Sequence, residues 1–312
     1  MISNQGSCLQ ERTAAFLIAM CPWTSIPGGR RLSDMSHLLN WATPALREAG
    51  IESPQLDAEV LLAHSLGITR SELYARLDQR PEEAAEKLFR SVVARRLLHE
   101  PVAYITGHKE FYGLELQVDR RVLIPRPETE TLVQVALTIA RQHRVTDLAE
   151  VGVGSGAVAI ALAVNLPWAE IYATDSSALA LEVAEENCRR HDVWDRVHLA
   201  LGDLLDPLPE PVGLVVANLP YVAEEELDSL ASDITAYEPL SALDGGPDGL
   251  DHIRRLLGQA GPWLKPPGMI CLEIGATQAL AVNALAREHF PAATVALVRD
   301  LAGLDRVVII AT

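Results

Sequence analysis

The chain has 312 residues, of which 49% are hydrophobic and 22% charged, and a formal net charge of -16. That length allows two domains with a sizeable core, and the composition is that of an ordinary globular protein. So acidic a balance disfavours general nucleic-acid binding, which needs a basic face against the phosphate backbone. The four cysteines, Cys8, Cys21, Cys188 and Cys271, are scattered without a C-x-x-C. They fit a reducing cytoplasm and give no disulfide framework. No apolar run approaches the roughly 20 residues of a membrane span.

Residues 1–34 hold Pro22, Pro27, Gly28 and Gly29 and no sustained period. We expect a disordered extension there, or a start codon assigned too early. The short apolar patch Ala14 to Met20 follows Glu11 and Arg12 and makes a poor signal peptide. From Ser36 to Glu100 the pattern is helical. Leu38, Leu39, Ala42, Ala45, Leu46 and Ala49 recur at three and four, and Gly50 closes that helix. Ser53-Pro54 opens a second, with Leu56, Val60, Leu61 and His64 as its apolar side and His64 at the core edge. Ser71 to Leu77 and Glu82 to His99 read as two more helices, and Pro101 stops the last. The result is a small helical bundle.

The stretch FYGLELQVDRRVLIPRPETE follows. Leu114, Leu116 and Val118 alternate, Asp119-Arg120 offers a turn, and Val122 and Ile124 return, which predicts a hairpin. Glu128, Thr129 and Glu130 open a helix running to about His143, where acids complement the helix dipole. Beyond Asp147, short apolar runs alternate with helical stretches. Leu148 to Val153, Glu170 to Thr174, Val197 to Ala200, Leu214 to Ala217 and Met269 to Ile274 have strand length. Alternating βα units imply a parallel sheet covered on both faces. Thr294 to Val298 and Arg306 to Ile310 lack a full helix between them and predict a closing antiparallel hairpin. Cys188 and His191 stand three apart on one helix, expected on an exposed surface; two ligands do not make a zinc site.

Gly152, Gly154 and Gly156 in EVGVGSGAVAIALA follow a strand and precede a helix, and Ala157 completes a G-x-G-x-x-G/A pattern. With Val153 and Ser155 they form a loop whose backbone can approach a ligand closely. The loop alone does not separate a nicotinamide cofactor from S-adenosylmethionine. Asp175 ends the second strand, where a carboxylate can accept from ribose hydroxyls. Glu150 can face a ligand ammonium or orient the loop. Asp203 can accept from an adenine amine, with Leu204 covering the ring. Four consecutive strands thus end in a carboxylate or in Asn218, at the edge where open α/β sheets bind ligands.

The fourth of these strands delivers Asn218-Leu219-Pro220-Tyr221. An asparagine carbonyl and nearby backbone carbonyls can accept both protons of a substrate NH2, and Tyr221 offers a flat face to a planar group. Amide and aromatic-amine nitrogens are poor nucleophiles because their lone pair is delocalised. Two acceptors can aim that lone pair at a methyl donor, so catalysis reduces to positioning and electrostatics.

EPVAYITGHKEFYG, LIPRPETETLV, GVGSGAVAIALA, ANLPYV, YEPLSALDGGPDGLD and DLAGLDRVV together resemble the bacterial release factor glutamine methyltransferases, from about Met35 to the C-terminus. The resemblance implies a class I methyltransferase fold, a Rossmann-like seven-stranded α/β sheet, with an N-terminal helical bundle and a β-hairpin linker. It sets a helical substrate-binding domain at 35–110, the linker at 111–126 and the methyltransferase domain at 127–312. It further implies a cytoplasmic enzyme that N5-methylates the glutamine of the Gly-Gly-Gln motif of class 1 peptide chain release factors. S-adenosyl-L-methionine would be the donor and S-adenosyl-L-homocysteine the product. Glu150, Gly152, Val153, Gly154, Ser155, Gly156, Asp175, Asp203, Leu204 and Asn218 would touch the cofactor. Asn218, Leu219, Pro220 and Tyr221 would hold the glutamine, with Asn218, Pro220 and Tyr221 catalytic. Metal, membrane and bulk nucleic acid are not expected.

Two positions depart from the family's pattern. Leu219 replaces the first proline of Asn-Pro-Pro-Tyr, giving up a fixed φ, and Glu150 stands where aspartate is common. Asn-Leu-Pro-Tyr also resembles ribosomal RNA adenine dimethyltransferases. A ribosomal-protein glutamine and an RNA or DNA adenine are therefore the alternative substrates.

Overall fold

The computed structural model describes residues 34–312. The expectation for residues 1–34 falls outside them apart from Asp34, whose carboxylate caps the first helix by accepting from the His37 amide at 2.9 Å. The chain forms two compact units that divide between Thr106 and Gly107.

The first unit is helical: α1 (Met35–Glu48), α2 (Pro54–Leu66), α3 (Arg70–Tyr74), α4 (Glu83–Leu97) and α5 (Val102–Thr106). Its core gathers Leu38, Leu46, Leu61, Leu62, Leu73 and Phe89. Pro54 sits in the first turn of α2, but Ser53 makes no side-chain cap bond. The buried side of α2 differs from the expected one. Ala58, Leu61, Leu62 and Ala63 face inward, while Leu56 is 45% exposed. Apolar residues occupy most of this helix, so periodicity alone did not choose its face. A buried polar group contributes to that choice: Glu59 accepts from Gln55 at 2.9 Å, Arg70 at 2.6 Å and the Tyr74 hydroxyl. Thr69 and Glu72 form a reciprocal capping box for α3, which stops at Tyr74, short of the predicted Leu77.

The second unit opens with a hairpin of β1 (His108–Phe111) and β2 (Leu114–Gln117), paired antiparallel with Lys109 opposite Leu116. The expected hairpin, with strands at 114–118 and 122–124, is therefore displaced. Tyr112 and Gly113, at φ 52° and 75°, form the two-residue turn. Two successive positive φ values match the twist of flanking strands. Asp119 and Arg120 make no hairpin. The Asp119 carboxylate clasps Arg121 at 2.7 Å, and 118–128 runs as an irregular segment.

Helix α6 (Thr129–His143) then leads into a seven-stranded sheet. Its strands are β3 (Asp147–Val151), β4 (Glu170–Asp175), β5 (Val197–Leu201), β6 (Val212–Ala217), β7 (Leu264–Glu273), β8 (Thr294–Arg299) and β9 (Asp305–Ala311), ordered β5-β4-β3-β6-β7-β9-β8. The first five are parallel; β9 runs antiparallel to β7 and to β8. Alternate residues along the central strands enter two cores, the outcome expected when both faces are covered. Leu148, Leu214, Val216 and Cys271 join the core with Leu132 of α6 and Ile160 of α7 (Ala157–Asn165). Ala149, Val215, Ala217 and Leu272 join the other, with Leu256 and Val282 from two later helices. The remaining helices are α8 (Ala178–Arg190), α9 (Glu224–Leu227), α10 (Ser232–Tyr237), α11 (Asp251–Ala260) and α12 (Ala279–His289). Cys188 lies in the first core rather than on an exposed surface, and burial pushes its thiol up to about 12. His191, on the exposed side, bonds the Glu115 carbonyl at 2.9 Å.

Candidate active site

A cavity of about 380 Å³ opens at the carboxyl ends of β3, β4 and β6, where crossovers leave to either side of the sheet. Gly152, Val153, Gly154, Ser155, Asp175, Asp203, Leu204, Asn218, Leu219, Pro220 and Glu150 all line it. Gly156 stands just behind, capping α7 at φ 84°. Tyr221 is not on the cavity wall.

The loop after β3 is pinned from below. Gly152 and Val153 donate to the Thr174 carbonyl at 2.9 and 3.0 Å. Gly152 adopts φ 79°, and a Cβ there would lie 3.4 Å from a Leu219 methyl and 3.6 Å from the Asn218 carbonyl oxygen. Those are ordinary contact distances, so it is the left-handed φ that calls for glycine at 152, and Leu219, 5% exposed, packs beside it. The leucine that replaces the family's proline is a core residue whose side chain packs on the glycine loop.

Asp175 organises the next stretch. One carboxylate oxygen accepts from the Gly154 amide and the other from the Ser177 amide, both at 2.9 Å. Each oxygen keeps lone-pair capacity toward the cavity, enough to accept from a vicinal diol. Glu150 is buried and accepts from the Ala159 amide at 2.7 Å, so it ties the loop to α7. Burial raises its pKa well above the carboxylate range, and the Asp175 charge adds to the rise. Leu204 adopts φ 48° and stays 7% exposed; its carbonyl accepts from the Thr174 hydroxyl at 2.7 Å. Asp203 is half exposed and paired with Arg255. An acid at the end of β4, a backbone loop and an apolar corner form a set that suits a nucleoside.

Asn218 follows β6 and donates its side-chain amide to the Thr129 hydroxyl at 3.0 Å. Asn218 lines the cavity, and its side-chain oxygen accepts no hydrogen bond among the described residues. Tyr221 turns its hydroxyl toward Glu273, 3.5 Å from Oε1. Burial, with the Glu273 charge behind it, raises the phenol pKa to about 12. Gln278 fixes the far end of the tetrapeptide by donating to the Tyr221 carbonyl at 2.9 Å. A Cβ at Gly249, φ 73°, would sit 2.4 Å from that same carbonyl, so glycine is required there.

The opposite wall is made by Val122, Leu123, Pro125 and Arg126 and by Pro239, Ser241 and Ala242. Glu238 joins these two segments. It is buried, accepts from the Ile124 amide at 3.0 Å and pairs with Arg126 at 2.5 Å.

Sequence reasoning missed Thr129, Glu238, Glu273 and Gln278. Glu273 carried a usable signal, because it too is an acid closing an apolar strand. Thr129 carried none beyond its place in the first turn of a helix.

This sheet order, with a glycine loop after the first strand and polar strand ends around one cavity, defines a class I methyltransferase. The catalytic domain of hMettl16, solved with the MAT2A 3'UTR hairpin 6, shares the fold at a TM-score of 0.52 and 15% identity, over 70% of this chain and 81% of that one. The PrmC N-terminal domain matches residues 37–107, and the methyltransferase small domain matches residues 128–237. A release factor glutamine methyltransferase of Rhodopirellula baltica is 38% identical over 92% of this chain and 95% of its own length. One from Moorella thermoacetica is 43% identical over 86% and 95%. The chain belongs to the release factor glutamine methyltransferase family.

Proposed function

We propose that this chain transfers a methyl group from S-adenosylmethionine to the side-chain nitrogen (N5) of the Gly-Gly-Gln glutamine of class 1 release factors, in the cytoplasm. The observation that carries this reading is the shared cavity: the glycine loop, Asp175 and Asn218 to Pro220 face one space. The residues fit the cofactor. Asp175 would hold the ribose hydroxyls, Leu204 would cover the adenine, and the backbone of Gly152 to Gly156 would lie against the remainder. When bound, the cofactor supplies a methyl carbon made electrophilic by its sulfonium.

The chain's own work is to bind and orient. With its NH2 committed to Thr129, Asn218 presents a carbonyl oxygen. That oxygen accepts one proton of the glutamine amide, and a backbone carbonyl of Leu219 or Pro220 would take the other. Held by two acceptors, the nitrogen directs its lone pair at the methyl carbon. The sulfonium would give up the methyl and leave as a neutral sulfide, and the nitrogen held by this chain would release its proton to water. No strong base is required. We assign the first unit, through Thr106, to recognition of the release factor, as for a family in which it accompanies the methyltransferase domain.

An adenine-directed reading would want free positive charge at the cavity. Of the arginines on its wall, Arg121 and Arg126 are paired with Asp119 and Glu238, and Arg120 stacks over the Tyr237 ring at 4.7 Å. The test is peptide mass spectrometry of a purified release factor incubated with the protein and S-adenosylmethionine. One added methyl on the Gly-Gly-Gln glutamine is expected; an unmodified glutamine beside a methylated ribosomal protein or RNA would overturn the substrate.

A further inference from the structure

Glu273 is 1% exposed, and its Oε2 is buried with no hydrogen-bond partner among the described residues. A buried carboxyl oxygen left without a donor is costly, and this one stands beside the end of β6. Strand register puts it there: Ala217 pairs with Leu272, so the next positions, Asn218 and Glu273, emerge side by side at the sheet edge. The third participant comes from another element. Thr129, 4% exposed, begins α6; its hydroxyl accepts from Asn218 Nδ2 at 3.0 Å and is near enough to the Glu273 carboxyl to favour its charged form.

The direction of this relay matters. An asparagine side chain fits its site almost equally well in two orientations related by a half-turn, and only its hydrogen-bond partners select one. With the carbonyl toward the cavity, it accepts from a substrate NH2. With the NH2 toward the cavity, it sets donor against donor and repels that substrate. A threonine hydroxyl can donate or accept, so it selects nothing unless its own proton is spoken for. Glu273, whose Oε2 lacks a donor, would draw that proton if the hydroxyl turned to it, leaving the hydroxyl lone pairs for Asn218. We propose that Thr129 and Glu273 are positioning residues that fix the orientation of the Asn218 amide, and with it the acceptor that the substrate nitrogen meets. This rests on the reading that Asn218 holds the glutamine amide.

Three substitutions in the full-length protein test it. Thr129→Val keeps the shape and removes the hydroxyl; it should lower kcat on the order of 10- to 100-fold and leave S-adenosylmethionine affinity unchanged. Thr129→Ser restores a hydroxyl and should recover most of the rate. Glu273→Gln keeps an acceptor but adds a competing donor, and should fall between them. A second measurement separates positioning from simple packing. The Asn218 side-chain NH2 resonance, identified by its loss in Asn218→Ala, should be protected from exchange with water in the wild type and unprotected in Thr129→Val. Wild-type kcat in Thr129→Val would overturn the proposal, as would a slowed variant whose Asn218 resonance is unchanged. Should the wild type methylate no release factor, the functional reading fails. The resonance then decides alone: protection lost with Thr129→Val upholds the relay, and no protection in the wild type ends it.

Discussion

Asp175 does two jobs at once. Its carboxylate accepts from Gly154 and Ser177, so it shapes the loop and the start of α8 while offering its remaining lone pairs to the cavity. Asp175→Ala removes both contributions. We expect cofactor affinity to fall about tenfold to hundredfold, the usual scale for losing hydrogen bonds to a charged group. Isothermal calorimetry checks this, and an unchanged affinity would take Asp175 out of the ribose site. Leu219 acts differently, through packing. It seats on Gly152 and couples the end of β6 to the loop after β3, a role its side chain fills without the fixed φ of proline. Tyr221 is the residue whose expected role the geometry supports least directly. Its hydroxyl points to Glu273, away from the cavity wall, and a carbonyl held by Gln278 is what anchors it.

At the scale of elements, strand ends carry the site, and β7 contributes an acid that is not simply a ligand. Burial raises the Glu273 pKa from 4.5 to about 7, opposed by the Thr129 hydroxyl and the Arg306 charge. A carboxyl whose folded pKa exceeds its unfolded one binds more protons in the folded state between those two values. Stability is then greatest below about 4.5 on this account and is lost as pH rises toward 7 and beyond. The difference amounts to about 3 kcal/mol at most. Urea unfolding of wild type and Glu273→Gln at pH 5 and pH 8 should therefore diverge. The wild type should weaken relative to the variant at the higher pH; parallel pH dependence would show that Glu273 titrates normally. Much of this level was legible in the residues. The β3 loop and the acids at 175 and 203 were legible because each follows an apolar run of strand length, and Glu150 because it interrupts one. Glu273 closes β7 with the same signal, but β7 lies beyond the four strand ends around the glycine loop. The first hairpin was displaced for a related reason. Leu114 and Leu116 alternate clearly, but their partner strand, His108–Phe111, is mostly polar, whereas Val122 and Ile124 downstream carry the apolar alternation without forming a strand. For α2, a helix apolar on most sides, the inward face depended on a buried Glu59 whose partners Arg70 and Tyr74 lie in the next helix.

Over the whole molecule, the charge of -16 and the paired arginines at the cavity fit a protein substrate better than a polyanion. The second unit brings the glycine loop, Asp175, Asn218 and Pro220 to one cavity, the groups to which we assign the methyl donor and the amide. The first carries its own core and a capped, salt-bridged set of helices, consistent with a separate task of recognition. What joins these levels is one side chain, Asn218, which the sequence marks, β6 delivers and Thr129 orients. The most direct measurement is the rate of glutamine methylation on a release factor, by mass spectrometry, for the wild type and Asn218→Ala, with cofactor affinity measured on both. The account predicts a rate lower by on the order of 100-fold or more in a folded variant that still binds S-adenosylmethionine. A variant that methylates at the wild-type rate would contradict it.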